Sequence, residues 1–348
     1  MSLRGWLREQ RDPYLLGLLR AAIALLLLLQ TLKLGYRLHV NGYFGEVFHM
    51  PLVPTALVPS HTLYAALLGL QALGCVLAIV GVAARPALLV AALLGLYLMA
   101  CDRLQYHNNR YVLLLVALLV PFTPCSHSFV PPWRRAPQPG ALAPRWAAYL
   151  IGAQLSLVYL SSSLGKLLDH DWRSGLVMQL RFTQVHAATW VPEPLRELVT
   201  TPTFAQLATG CALASELFLA LGVWFSRTRV PALWLGVVFH AGIEAVARVE
   251  LFSYTMLCSY LVFARPELHE RRLVWSAPGS RLRVLLGGLD WLRRFRHEQS
   301  DQPEPLVVVD REGREHRGLP ALRELTRAIP LLFPLWLPLR LLTWRSPR

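Results

Sequence analysis

The chain reads as an all-α multi-pass membrane bundle of about eight transmembrane helices, followed by a small α+β module on the cytoplasmic side. Three observations carry that fold class. Hydrophobic residues make up 54% of the 348 positions and charged ones only 16%, with a mean hydropathy of +0.40. Apolar runs long enough to cross a hydrocarbon core of about 30 Å recur from Tyr14 onward, separated by short basic or proline-rich links. After Pro266 the pattern becomes arginine-rich and amphipathic, which divides the chain into a membrane domain at 11–265 and a basic linker with a small module at 266–348.

The first span fits Tyr14 to about Gly35, with five consecutive leucines at its centre. It is too long for a signal-peptide core and no small-residue cleavage pattern follows, so it reads as an uncleaved helix. Tyr36–His61, with three prolines, reads as a loop or re-entrant cap. A second span at Thr62–Val82 and a third at Ala87–Ala100 are joined by G-V-A-A-R-P, a link short enough to make them antiparallel. A polar knot, C-D-R-L-Q-Y-H-N-N-R-Y, precedes a short fourth span at Tyr111–Phe122. The Pro- and Arg-rich segment Thr123–Arg145 reads as an exposed loop. The fifth span runs from Trp146 into Lys166, and residues 173–202, with Trp190, suit an external loop with interfacial helices. Thr203–Phe225, Val230–Val246 and the short Leu251–Ala264 complete the set.

In the tail, R-L-R-V-L-L-G-G-L-D-W-L-R-R-F-R suits one amphipathic helix lying on the inner leaflet. P-L-V-V-V-D-R-E-G-R-E-H-R-G reads as two strands about a Glu312-Gly313 turn, and L-P-A-L-R-E-L-T-R-A as a short helix. The final apolar stretch holds closely spaced prolines, which suit packing on the membrane surface rather than crossing.

A formal net charge of +14 would suit nucleic acid if the arginines lined one groove, but they cluster at the ends of apolar runs and in the tail. Nucleic acid is therefore not expected as a partner; membrane lipids are. Alternating spans put most short-loop arginines on one side and make it, and both termini, cytoplasmic. The five cysteines form no C-x-x-C and no ligand spacing, so neither disulfides nor a metal is expected. Walker, dinucleotide, G-x-S-x-G and HExxH motifs are absent.

Chemistry-bearing residues sit where few belong. Y-L-S-S-S-L-G-K-L-L-D-H-D-W drives an apolar run into Lys166, Asp169, Asp171 and Trp172. A lysine there either snorkels to headgroups or sits in an outward-opening polar cavity, with Gly165 letting another backbone approach. Glu216, His240 and Glu244 lie inside spans, the last two one helical turn apart. They wall a site or simply fix helix register by pairing. His107, Asn108 and Asn109 offer donors to an oxyanion or polar headgroup, or close an interfacial loop.

Together, Y-H-N-N-R-Y, L-G-K-L-L-D-H-D-W-R-S-G, F-H-A-G-I-E and F-S-Y-T-M-L resemble the horizontally transferred transmembrane domain (HTTM) family, which includes vitamin K-dependent γ-glutamyl carboxylase. The resemblance runs from about Arg11 to Arg265. It implies a bacterial-type inner-membrane protein with Lys166, Asn109 and His240 in the chemistry. Ligand contact would fall to His107, Asn108, Asp169, Asp171, Trp172, Glu216 and Glu244, and vitamin K hydroquinone or another quinone is the implied lipid-soluble reactant. The matching run of the carboxylase has two adjacent lysines; here the second place is Leu167. Its knot histidine aligns with Asn109, and the long lumenal part that docks its protein substrate has no counterpart. A carboxylase- or oxygenase-like enzyme and a non-catalytic lipid-binding or scaffold protein thus both fit. Val307–Leu339 also resembles the C-terminal end of the DCC thiol-disulfide oxidoreductase family, without its cysteines.

Overall fold

The computed structural model describes residues 9–42, 48–131, 142–186, 192–246, 249–264, 269–276, 281–300 and 306–342. Trp190 lies outside them, as does much of the Pro-rich loop. The chain divides into two compact units, 1–263 and 264–348.

In the first unit a two-residue strand β1 (Gln10–Arg11) pairs antiparallel with β2 (Ala143–Pro144). Helix α1 (Tyr14–Val40) runs 27 residues, five beyond its expected end at Gly35. α2 (His61–Val80) starts on a Ser60 cap, whose hydroxyl accepts from the Leu63 amide, and stops at Gly81, whose φ of 92° only glycine adopts without strain. α3 (Ala84–Ala100) follows after three residues and packs back on α2. α4 (Asn108–Leu119) ends in a 3₁₀ turn at Val120–Phe122.

α5 (Trp146–Leu168) leads through a one-turn α6 (His170–Arg173) to α7 (Leu176–His186) and α8 (Glu193–Thr200), where the sequence predicts an external loop with interfacial helices. α9 (Pro202–Gly222), α10 (Arg229–Val246) and α11 (Phe252–Ser259), with a 3₁₀ turn to Val262, close the unit. Among the described residues five helices, α1, α2, α5, α9 and α10, are long and apolar enough to cross a membrane; α3, α4 and α11 are apolar but shorter. The sequence already gives these three as the shorter of the eight expected spans, and α3 and α4 each begin three residues before their expected starts at Ala87 and Tyr111.

The apolar core joins Leu19, Ile23 and Leu27 of α1, Leu113 and Leu114 of α4, Ile151 and Leu155 of α5, Leu219 of α9 and Met256 of α11. Several arginines that the sequence presents as headgroup anchors instead cap helix ends. Arg85 donates to Thr123 O, Arg145 to Val262 O, and Arg229 to the carbonyls of Val223 and Trp224. Each supplies donors to carbonyls that a helix C-terminus leaves unpaired. Arg20, inside α1 and fully buried, does the same for the start of the supposedly exposed loop: it donates to Cys125 O, Ser128 O and Phe129 O. Residues 123–128 are therefore partly inside, with Thr123, Cys125 and Ser128 buried.

The second unit is a four-stranded mixed sheet, ordered β4-β3-β5-β6. β3 (Arg271–Trp275) was not foreseen from sequence; it pairs parallel with β4 (Phe295–Gln299) and antiparallel with β5 (Leu306–Val309), which pairs with β6 (Glu315–Arg317). The expected single amphipathic helix stops at Leu289 as α12 (Arg281–Leu289), and its second half is β4. Asp290 causes the break: its carboxylate accepts the Arg294 and Phe295 amides at 2.9 and 2.8 Å, an alternative to continued helix. The β5–β6 turn falls at Gly313, φ 80°, where the sequence puts it. Burial opposes ionisation of Asp310 in that turn, but hydrogen bonds from His316 and Arg314 outweigh it and hold the carboxyl down at about 2. α13 (Gly318–Ala328) packs Ala321 and Leu325 on Trp275, Phe295 and Val308. After a 3₁₀ segment, α14 (Trp336–Leu342) ends the described chain.

Candidate functional site

The buried face of α5 changes character along its length. Ala148, Ile151 and Leu155 give way at the same helical spacing to Tyr159, Ser163 and Lys166. Two neighbouring helices answer this stripe with ionisable groups. From α9, Glu216 is 3% exposed, and its Oε1 accepts from Lys166 Nζ at 2.5 Å and Ser162 Oγ at 3.0 Å. From α10, the fully buried His240 places Nε2 2.7 Å from the Tyr159 hydroxyl, which in turn meets the Tyr260 hydroxyl at 2.5 Å. Phe239 and Phe252 present ring faces and edges to the imidazole.

Lys166 does not snorkel. Its half-buried ammonium lies 4.9 Å from the centre of the Trp172 ring while bonded to Glu216, a cation held by a carboxylate on one side and an indole on another. Gly165 plays no part in admitting a backbone, because nothing lies within 4 Å of the place its Cβ would take. Asp169 does not face Lys166 either: its Oδ1 accepts the amides of Asp171 and Trp172 and caps α6, which is how Trp172 comes to be positioned. Asp171 is exposed beside His170.

The knot goes elsewhere. His107 caps α4 through Nδ1, Asn108 is exposed, and Asn109 Nδ2 donates to Val249 O at 3.0 Å. Asn109 thus ties α4 to the loop before α11 rather than joining Lys166. Glu244, although one turn from His240, lines a separate groove of about 360 Å³ with Leu29, Lys33, Glu250, Leu251 and Tyr254, where Lys33 and Glu250 pair at 2.7 Å. Of the residues proposed from sequence, Lys166, Glu216 and Trp172 come together, and His240 joins the same stripe through Tyr159. Tyr159 and Tyr260 are the residues that sequence reasoning missed. Their signal was slight: a tyrosine inside each of two apolar runs.

Gly236 makes the tyrosine contact sterically feasible, since a Cβ there would overlap the Tyr260 hydroxyl and ring. Gly236→Ala is expected to lower stability by about 1–3 kcal/mol through overpacking. Gly242→Ala, with open space around it, should change little or stabilise the helix slightly. Thermal unfolding of both variants in detergent checks this; equal melting would mean that Tyr260 does not pack on Gly236.

Apolar helices of spanning length, arginine-capped helix ends and the burial of Glu216 and His240 inside the bundle define a polytopic integral membrane protein with a buried polar site. The HTTM domain model matches residues 8–268, well over half of the chain. The protein belongs to the HTTM family. No solved structure matches it.

Proposed function

We propose that the Lys166–Glu216 pair is a proton-handling site for a lipid-soluble, quinone-type ring, and that the protein is an oxygenase- or carboxylase-like membrane enzyme. One observation carries this reading: a lysine and a buried glutamate share a short hydrogen bond beneath an indole face, while Glu216 Oε2 has no donor. The donor set fits a hydroquinone, with Oε2 to accept a ring hydroxyl and Trp172 to lie along the ring. A hydroquinone, when bound, supplies an acidic hydroxyl and reducing equivalents. The chain's part is the proton. Transfer from Lys166 Nζ to Glu216 Oε1 converts ammonium and carboxylate into amine and carboxylic acid without changing the net charge inside the membrane, which avoids the cost of an isolated buried ion. The amine can then accept a proton from a donor at Nζ.

A second reading has its own support. Asn109 is committed to Val249 O and Lys166 to Glu216, as expected of residues that only hold a bundle together or shape a lipid-binding surface. Lipid extraction and mass spectrometry of the purified protein separates the two. A co-purifying quinone, lost from the double variant Lys166→Met/Glu216→Leu, supports the first; phospholipid alone, equal in both, supports the second. The arginines at helix ends favour an inner-membrane orientation with both termini cytoplasmic.

A further inference from the structure

Three side chains of the polar stripe are more than nine-tenths buried and carry polar atoms without a hydrogen-bond partner: Ser163 Oγ, Glu216 Oε2 and His240 Nδ1. Tyr159, Ser163 and Lys166 stand at i, i+4 and i+7 of α5, so they share one face over an axial rise of about 10 Å, with Ser163 near the middle. Glu216 meets this face through Ser162 Oγ at 3.0 Å and Lys166 Nζ at 2.5 Å. From Ser163 the axial rise is about 4.5 Å to Lys166 and about 6 Å to Tyr159. Buried polar atoms without a protein partner are where structural water makes its hydrogen bonds.

We propose that Glu216, Ser163 and Tyr159 form a water-bridged proton relay between Lys166 and His240. It rests on the proton-handling reading of the Lys166–Glu216 pair and extends it inward. An N–H bond of the Lys166 ammonium breaks as an O–H bond forms on Glu216. The protonated Glu216 carboxyl group turns about its Cγ–Cδ bond, which carries the O–H to the side that Oε2 held, and releases that proton through bridging water and Ser163 Oγ to the Tyr159 hydroxyl, which passes its own proton to His240 Nε2. The products are a lysine amine and an imidazolium, with net charge and electron count unchanged and no oxidant required. Tyr159 and Tyr260 are the titratable groups in contact with the imidazole, while Phe239 and Phe252 hold no charge to trap the proton there. His240 therefore stores a proton only transiently. Lys166, half-buried, is the end of the chain nearer water; His240, at 0% exposure, has no such access.

The test is exchange of the Tyr159 hydroxyl proton, the one the relay replaces, with deuterated water in full-length, ligand-free protein in lipid nanodiscs. Carbon-13 labelling of the tyrosine Cζ reports it through the deuterium isotope shift, with the signal assigned by its loss in Tyr159→Phe. Ser163→Ala changes no charge, and Glu216→Gln keeps the shape of the side chain. Each is expected to slow exchange of the Tyr159 hydroxyl about tenfold or more, the effect of raising a barrier by one hydrogen bond. Glu250→Gln, in the separate groove, should leave it at the wild-type rate. Backbone amide exchange of α5 in the same samples controls for opening of the bundle. Hydroxyl exchange unchanged in Ser163→Ala and Glu216→Gln, or accelerated together with the amides, overturns the relay. Because the experiment holds no quinone, its failure is distinct from failure to find a co-purifying quinone.

Discussion

Arg20→Met should lower the stability of the membrane unit by about 3–5 kcal/mol, the range for stripping a buried polar network of its charged partner. The guanidinium is fully buried and serves the carbonyls of Cys125, Ser128 and Phe129, at 2.8, 3.3 and 2.7 Å. Methionine fills much of the volume but donates nothing, so these acceptors lose their donor. Each buried acceptor left unpaired costs about 1–3 kcal/mol. The segment cannot simply swing out to water, because Ser128 also donates to Tyr14 O and lies directly against Gly17, where a Cβ would overlap it. Arg85→Met is the comparison: Arg85 is exposed and serves one carbonyl, that of Thr123, where Arg20 serves three, so its loss should cost less, about 1–2 kcal/mol. Unfolding in detergent followed by tryptophan fluorescence reads both. Arg20→Met melting with Arg85→Met would mean that the 125–129 carbonyls find other donors and that Arg20 is no keystone.

Arg20 also shows where sequence reading stops. The helices were legible because apolar run length is a local signal, and so was the Gly313 turn; the stop at Gly81 was not, since the apolar run continues to Val82. The arginines were legible as a one-sided charge bias, but their partners are backbone carbonyls up to 117 positions away in sequence, as for Arg145 and Val262. No motif announces such a pairing. The break at Asp290 was hidden because R-L-R-V-L-L and W-L-R-R-F-R both satisfy a helical pattern, and only the carboxylate's capture of two later amides ends the helix. In the site, Lys166, Glu216 and His240 stood out as costly residues in apolar surroundings. Which of them touch was not readable, since Lys166 and Glu216 are 50 residues apart. Asn109 shows the converse: a suggestive motif whose amide serves the Val249 carbonyl.

Breaking the Lys166–Glu216 pair one partner at a time should be asymmetric, and removing both should restore most of the loss. Lys166→Met leaves Glu216, 3% exposed, with only the Ser162 hydroxyl as donor. An unpaired buried carboxylate costs about 3–5 kcal/mol or must take up a proton. Substitution of the lysine is therefore not silent for folding, although sequence alone suggests that a methionine preserving its stem would be. Glu216→Leu leaves the ammonium with 17% of the lysine side chain already exposed and the Trp172 face beside it, so the orphaned charge can reach water and the cost should be about 1–2 kcal/mol. In Lys166→Met/Glu216→Leu no charge is stranded and two apolar side chains fill the space, which is often near neutral. The double variant should then lie within about 1–2 kcal/mol of wild type, less destabilised than Lys166→Met alone, with a coupling of about 3 kcal/mol. Denaturant titration of the four proteins measures it. Additive losses would show that the two side chains do not share a bond in the folded bundle, and would remove the geometry on which proton transfer between them depends.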